Sequence, residues 1–546
     1  MLLKKHYSIL LICLLLSIIT KAQNTVGTIL NTEDSFGGYT LFTAQTETYL
    51  INNCGEVVNQ WTSQYPPGNS VYLLEDGSLL RACNVGNTHI QFGGTGGRIE
   101  KFDWDGNLTW EFDYSNTTML QHHDIFPMDN GNILVLAATE MTSEEAIEAG
   151  RDPSKLDNGR LLNEQVIEIE PSGTNSATIV WEWNIKDHLV QDFDSTKDNY
   201  GVISENPNKL DINYLGGLSG NENWLHINSI QYNKNLDQIV LSSRHMNEIY
   251  IIDHSTTTAQ AASSTGGVYG KGGDFLYRWG NPQAYDHGTE SDRKLFGQHY
   301  PHWIPEGLPY AGKLILFNNG FGRVPSFSEV FIITPPTTSP GVYSYSQNVA
   351  FGPTSTDYTY TDPNNETEFF SRILSGAQML PNGNILICDG DSGYFFEIDS
   401  NENTVWEYIN PSSSNGILSQ GDNPNENPNI VFRATSYSPS YSAFTGRDLT
   451  PGDPIELNPN LSGCEALSLS DVEQNSVSVY PNPTTNRINI KTQGTIDSIE
   501  VYDVMGIRVA QNKNTNGIDL NNLKSGVYFL NITDNGKLTT KKVIKQ

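Results

Sequence analysis

Cysteine, positive charge and long apolar runs are all scarce in this chain. Five cysteines in 546 residues exclude a disulfide-dense scaffold. Lys and Arg number 32 against 62 Asp and Glu, a formal net charge of −30. That deficit excludes a nucleic-acid binder, whose phosphate contacts need basic residues in excess. The one long apolar run, residues 9–19, falls short of the roughly 20 residues that a membrane-spanning helix requires. No Gly-x4-Gly-Lys-Ser/Thr element occurs, so no nucleotide-phosphate loop is expected. Abundant instead are Gly 48, Tyr 26, Phe 21 and Trp 9. The aromatics supply core surface that a disordered chain lacks. Many glycines with few charges suit short strands and tight turns.

Charge divides the chain into three parts. Residues 1–22 hold Lys4, Lys5 and Lys21 and no acid; residues 477–546 hold nine bases and five acids; the middle is left at −37. Lys4 and Lys5, the apolar run, and Thr20-Lys21-Ala22 ahead of Gln23 have the order of an export signal over 1–22. The mature chain is therefore expected to fold in an oxidising compartment. Cys54 and Cys464 lie near the two ends of the middle region. A bridge between them would tie those ends together, although spacing alone does not decide connectivity.

The middle region repeats. An apolar strand, a Gly turn, a second strand, a third strand, and a fourth strand ending near Trp recur. The copies begin at residues 71–80, 125–135, 227–241, 303–317 and 378–387, with an abbreviated first copy at 39–61. Six units of about four strands each predict an all-β fold, a six-bladed β-propeller. Long polar insertions at 138–164, 184–222, 254–274, 280–297 and 334–370 are candidates for functional loops.

Three of the eleven histidines stand at or just ahead of an innermost strand: His123 in His122-His123-Asp124, His226 in Leu225-His226-Ile227-Asn228, and His299 in Gln298-His299-Tyr300-Pro301-His302. His123 lies eight residues before Gly131, and the same offset from Gly383 and Gly77 gives Ser375 and Asn69. Asn69, His123, His226, His299 and Ser375 are thus expected to ring one channel. Arg244, after the second strand of the His226 copy, could reach the same mouth. A fixed Arg charge opposes a metal cation, and no His-x3-5-His pair shares one element, so neither metal nor other cofactor is expected. The remaining chemistry is transfer of an anionic group. A neutral imidazole attacks, a second protonates the leaving oxygen, and Arg balances the equatorial oxygens. His89, His188, His245, His254 and His287 read as surface or loop residues. Asp389-Gly-Asp-Ser-Gly393 lacks the full calcium-loop spacing and reads as a turn between strands.

The ordered set His-Asp-Ile, Leu-His-Ile-Asn-Ser, Ser-Ser-Arg-His and Gly-Gln-His, over roughly residues 25–460, resembles the bacterial arylsulfate sulfotransferases that work without a nucleotide sulfate. The resemblance implies a six-bladed propeller that moves a sulfuryl group from an aryl sulfate donor to a phenolic acceptor by a ping-pong route. It implies His299 as the nucleophile that becomes a sulfohistidine. His123, His226 and Arg244 would polarise the sulfuryl oxygens, one His helping to protonate the leaving phenolate. Asn228 would line the substrate pocket, where Ser375 is expected from its channel position. Tyr300 and Pro301 stand where an acid is expected after the nucleophile, so His302 competes with His299, and His122 competes with His123. Better-known family members carry an N-terminal sandwich used in dimerisation; here the propeller is expected to start directly after the signal.

The tail, 477–546, alternates with period two and reads as a small β-sandwich after a polar linker at 466–476. Tyr480-Pro-Asn-Pro483, Val501-Tyr-Asp-Val-Met-Gly506, Leu523-Lys-Ser-Gly-Val-Tyr528 and the terminal Lys-Lys-Val-Ile-Lys resemble the sorting domain of type IX secretion cargo. That implies the type IX machinery as a partner and a secreted or cell-surface enzyme with residues 23–465 as its propeller. The alternatives are a non-catalytic surface propeller that binds glycans or proteins, or a sulfate-ester hydrolase using the same site. A mere binder has no need of converging His, His, Arg and His.

Overall fold

Period-two apolar runs separated by glycine turns fold here as antiparallel sheets. The structure, a computed structural model, describes residues 24–216, 222–461, 464, 478–492, 495–503, 506–534 and 537–546. The expected signal (1–22) and linker (466–476) lie outside the described residues. Contacts divide the chain into two units, residues 1–463 and 464–546.

The first unit holds six sheets of four or five strands. The second sheet is Pro67–Leu73, Leu79–Asn84, Gly97–Phe102 and Leu108–Asp113. The third is Met119–Pro127, Ile133–Thr142, Arg160–Ser172 and Ser176–Asn184. The fourth is Ile227–Asn233, Gln238–Ser243, Glu248–Asp253 and Tyr277–Trp279, and the fifth is His299–Trp303, Leu314–Asn318, Glu329–Ile333 and Tyr358–Tyr360. The first and sixth sheets are each completed from the other end of the unit. Thr435–Tyr437 pairs with Tyr39–Ala44 as an inner strand ahead of Glu47–Ile51 and Val57–Thr62. Gly27–Asn31 pairs with Thr404–Ile409 as a fifth strand outside Gly376–Met379, Ile385–Asp389 and Tyr394–Ile398.

The repeated residues explain the repeated geometry. Gly77, Gly131 and Gly383 all have positive φ (83°, 89° and 93°) and close the same turn onto Leu74, Met128 and Leu380, a conformation that an L side chain resists. The recurring Trp links neighbouring sheets through its indole N–H, which a buried Trp must satisfy. Trp61 donates to the carbonyl of Asp103 (2.8 Å), Trp110 to Ser176 (3.0 Å), Trp183 to Gly273 (2.8 Å), Trp279 to Pro353 (2.8 Å) and Trp406 to Asn53 (2.8 Å). The last of these bonds joins the sixth sheet to the first. On the inner side, Gln378 of the sixth sheet accepts from Ser436 N (2.8 Å) and donates to Ser436 O (2.9 Å) on the first.

Two expectations are corrected. The fifth sheet's fourth strand, Tyr358–Tyr360, lies inside the segment expected as an insertion at 334–370. Its three residues are too few to show an alternation. The two ends of the 138–164 segment are strand as well: the Ile133–Thr142 and Arg160–Ser172 hairpin stays paired to Thr142↔Arg160, and helix Ser143–Glu148 caps it. Asp389–Gly393 is the expected turn between paired strands.

In the second unit a three-stranded sheet (Ser478–Tyr480, Arg487–Lys491, Gly517–Asp519) and a four-stranded one (Ile496–Tyr502, Arg508–Lys513, Gly526–Asp534, Lys537–Lys545) share one core around Ile488, Ile499, Leu530 and Ile532. Cys54 and Cys464 are each in a disulfide, whereas Cys83 and Cys388 are free and buried. No helix among the described residues is long and apolar enough to cross a membrane.

Candidate active site

Where the inner strands begin, the backbone leaves the regular ladder. The register shifts between Pro67 and Val71, opposite Ile125, between Ile227 and Ser229, and between His299 and His302. At these bulges Asn69 (φ 92°), His123 (49°), His226 (48°), Tyr300 (54°) and, in the sixth sheet, Ser375 (87°) are left-handed. Each costs about 1–3 kcal/mol, strain that tends to sit at functional sites. Asn69, His123, His226 and Ser375 therefore do occupy equivalent positions. In the fifth sheet that position is held by Tyr300, and His299 stands one residue earlier.

The bulges open onto a cavity of about 540 Å³ that contains His123, His226, His299, Arg244 and Asn69. Arg372 adds a second guanidinium, and Phe321, Ile373, Leu374, Ile430, Phe432 and Pro67 make an apolar wall. No carboxylate lines it. The positive charge expected at this mouth is present, but arginine alone supplies it. Burial first, then the neighbouring rings and the Arg244 charge, hold His123 and His226 well below the ordinary imidazole range. Burial and Arg244 likewise bring His299 down to about 3. All three rings are neutral near pH 7. Burial, then the Arg372 charge, lowers the Arg244 guanidinium, which forms no ion pair among the described residues and stacks 4.8 Å from the Phe321 ring.

Hydrogen bonds set the tautomers. Asn319 donates through Nδ2 to the carbonyls of Ser371 (2.9 Å) and Leu374 (3.1 Å), so its Oδ1 faces His299 Nδ1 at 2.7 Å. His299 must then carry its proton on Nδ1, which leaves the Nε2 lone pair free. Asn223 Nδ2 donates to His226 Nδ1 (2.7 Å), which puts the His226 proton on Nε2. His123 Nδ1 lies 2.9 Å from His122 Nδ1, and its ring packs 4.7 Å from that of His226. Gly94 (φ +87°) covers His123, where a Cβ would fall 2.1 Å from Nε2.

Other expected residues lie elsewhere. Asn228 is fully buried and donates to Gln298 O (2.8 Å), so it braces the His299 segment from behind. Ser375 Oγ is committed to Ser371 (2.8 Å) and to Gly390 N (3.0 Å). Neither lines the cavity. The Ser375 expectation took position in the repeat for side-chain direction, which the bulge alters, and the Asn228 expectation took it from the resemblance. His302 does not line the cavity either; it sits under Tyr300, bonded to Tyr300 O at 3.2 Å. His122 is buried behind His123. Among the histidines expected at the surface, His188 is fully buried between Asp274 and the Ala261 carbonyl, and His245 stacks on His226 at 4.7 Å.

Sequence reasoning missed Asn319, Asn223 and Arg372. Asn319 had a signal: it directly follows the second strand of its sheet, as Arg244 does in the preceding one. Also missed was a buried polar cluster at the centre of the inner strands. Arg433 pairs with Asp124 (3.0 Å) and donates to Tyr72 Oη (2.9 Å), Gln231 donates to the same oxygen (2.9 Å), and the Arg433 guanidinium lies 3.9 Å over Tyr300.

The arylsulfotransferase (ASST) family model matches residues 29–433, and the chain belongs to that family. The secretion-system C-terminal sorting domain model matches residues 478–546, which makes this a type IX cargo, secreted or held at the cell surface. No curated protein matches the chain. Similar solved structures include a protein of unknown function from Bacteroides caccae (10% identity, 73% of this chain and 98% of that one, TM-score 0.38). Others are the Pseudomonas aeruginosa periplasmic gluconolactonase PpgL (9%, 68% and 83%, 0.34) and the Staphylococcus aureus virginiamycin B lyase (11%, 70% and 87%, 0.30). These likenesses are too distant to bear on fold or chemistry.

Proposed function

We propose that this protein is an exported aryl-sulfate sulfotransferase working by a ping-pong mechanism through a sulfohistidine on His299. The six sheets are read as the blades of a closed six-bladed propeller over residues 23–465. It follows a signal peptide (1–22) and precedes the linker (466–476) and the sorting domain (477–546). The observation that carries the reading is the His299–Asn319 pair, which aims a neutral imidazole lone pair into a carboxylate-free cavity beside an unpaired Arg244.

In the first half-reaction His299 Nε2 attacks sulfur, the S–O(aryl) bond breaks, and its electron pair leaves on the phenolate oxygen. Arg244 and the His226 Nε2–H balance the three sulfuryl oxygens, where charge is shared most widely in the transition state. His123 gives the phenolate its proton. In the second half an acceptor phenol reverses each step. The apolar wall of Phe321, Leu374, Ile430 and Phe432 fits an aryl ring and supports a phenol rather than water as acceptor. Asn69, whose buried Nδ2 has no partner among the described residues, also lies on the cavity wall.

The test is release of a chromogenic phenol from its sulfate, with and without acceptor phenol. Release that depends on acceptor, disappears in His299→Ala and leaves acid-labile sulfate on His299 is the expected result. A folded protein that releases nothing under either condition would overturn the enzyme reading. Release that is independent of acceptor would favour hydrolysis.

A further inference from the structure

Adjacent side chains of a strand point to opposite faces, yet the rings of His122 and His123 meet, because His123 is left-handed (φ 49°). Their Nδ1 atoms lie 2.9 Å apart. Behind them Glu164, 2% exposed, brings Oε2 to 2.9 Å from His122 Nε2, without the alignment of a straight hydrogen bond. Its other oxygen accepts from Ile227 N (3.0 Å), next to His226. A carboxylate, an imidazole and a second imidazole thus form one buried row that ends at the cavity. Nothing in the mechanism above uses the first two.

We propose that Glu164 and His122 are positioning residues of a proton relay that switches His123 Nε2 between donor and acceptor. The inference rests on the sulfotransferase reading. Before transfer His122 carries protons on both nitrogens, facing the Glu164 carboxylate, and His123 is neutral with its proton on Nε2. When the S–O(aryl) bond breaks, the Nε2 proton passes to the phenolate oxygen, and the His122 Nδ1 proton moves to His123 Nδ1. His123 ends neutral again, now with an Nε2 lone pair, and His122 keeps one proton on Nε2 toward Glu164. That lone pair then accepts the proton of the acceptor phenol, and the row resets. The relay spares His123 from becoming an imidazolium, which its burial and the nearby Arg244 strongly disfavour.

The test uses the full mature chain with Glu164→Gln and, separately, His122→Gln. Glu164→Gln keeps an oxygen for Ile227 N but removes the charge. A lost relay matters in proportion to how much the leaving phenolate needs its proton. Unsubstituted phenyl sulfate should slow by about 100-fold and 4-nitrophenyl sulfate by less than about 5-fold. Equal slowing on both donors would mean a merely structural role, and no slowing on either would also overturn the relay. A second readout is independent of turnover. The 15N shifts of the His123 ring should report the Nε2-protonated tautomer in the resting wild type and move toward a mixture of tautomers in Glu164→Gln, and unchanged shifts would overturn the proposal. If the wild type transfers from no aryl sulfate, the functional reading falls while the ring shifts still decide the relay.

Discussion

Asn319 does for His299 what no feature of His299 alone could do. Two backbone carbonyls orient the amide, the amide orients the proton, and the proton leaves one lone pair facing the cavity. Asn319→Leu keeps the volume but removes that control. It should lower kcat by about 100-fold while the protein stays folded, the range in which loss of a ring's orienting partner is felt. Single-turnover trapping of the sulfo-enzyme measures it, and kcat within 2- to 3-fold of wild type would count against the assigned tautomer. The residues proposed to carry the chemistry could be picked out in the sequence. His123, His226, His299 and Arg244 are uncommon residue types at recurring points of a repeat, and all four line one cavity. Asn228 and Ser375 were misread because their value as ligands depends on side-chain direction.

Pairs of neighbouring sheets are held by more than apolar packing. His254 follows the third strand of the fourth sheet and is clamped between Asp237 (2.7 Å) of that sheet and Glu168 (3.0 Å) of the third. Burial alone would lower its pKa, but the hydrogen bonds and charges of the two carboxylates outweigh it and lift it to about 9. A raised pKa means that the clamp contributes fully below the unfolded value near 6.5 and is lost as pH climbs through about 9. The contribution is of the order of 2–3 kcal/mol. Calorimetry should find the wild-type Tm falling between pH 6.5 and 9, and His254→Gln should flatten that slope. Parallel slopes in both proteins would sink the clamp. The sequence had marked His254 as a loop residue, because neither carboxylate is near it in the chain.

The first and sixth sheets of the first unit depend on strands that the repeat pattern does not contain. Thr435–Tyr437 completes the first sheet and Gly27–Asn31 extends the sixth, so segments from both ends of the unit meet at one seam, where Trp406 also bonds to Asn53. A chain ending at residue 465 keeps both strands and every cavity residue. It should retain kcat/KM within about 2-fold while losing delivery to the cell surface. A chain ending at residue 434 loses the inner strand and should melt at least about 10 °C lower, or not cooperatively. Equal melting of the two truncations would show that the seam is not where stability is decided.

Repeat, strand content and the histidines and arginine that line the cavity were readable from residue order, because alternation, glycine turns and closing tryptophans are local patterns with local causes. The tautomer of His299, the contact of His122 with Glu164, and the neutrality of the imidazoles beside two arginines were decided only by tertiary structure. Each depends on groups far apart in sequence that the bulged inner strands bring into one desolvated space, and desolvation and alignment leave no trace in a linear sequence.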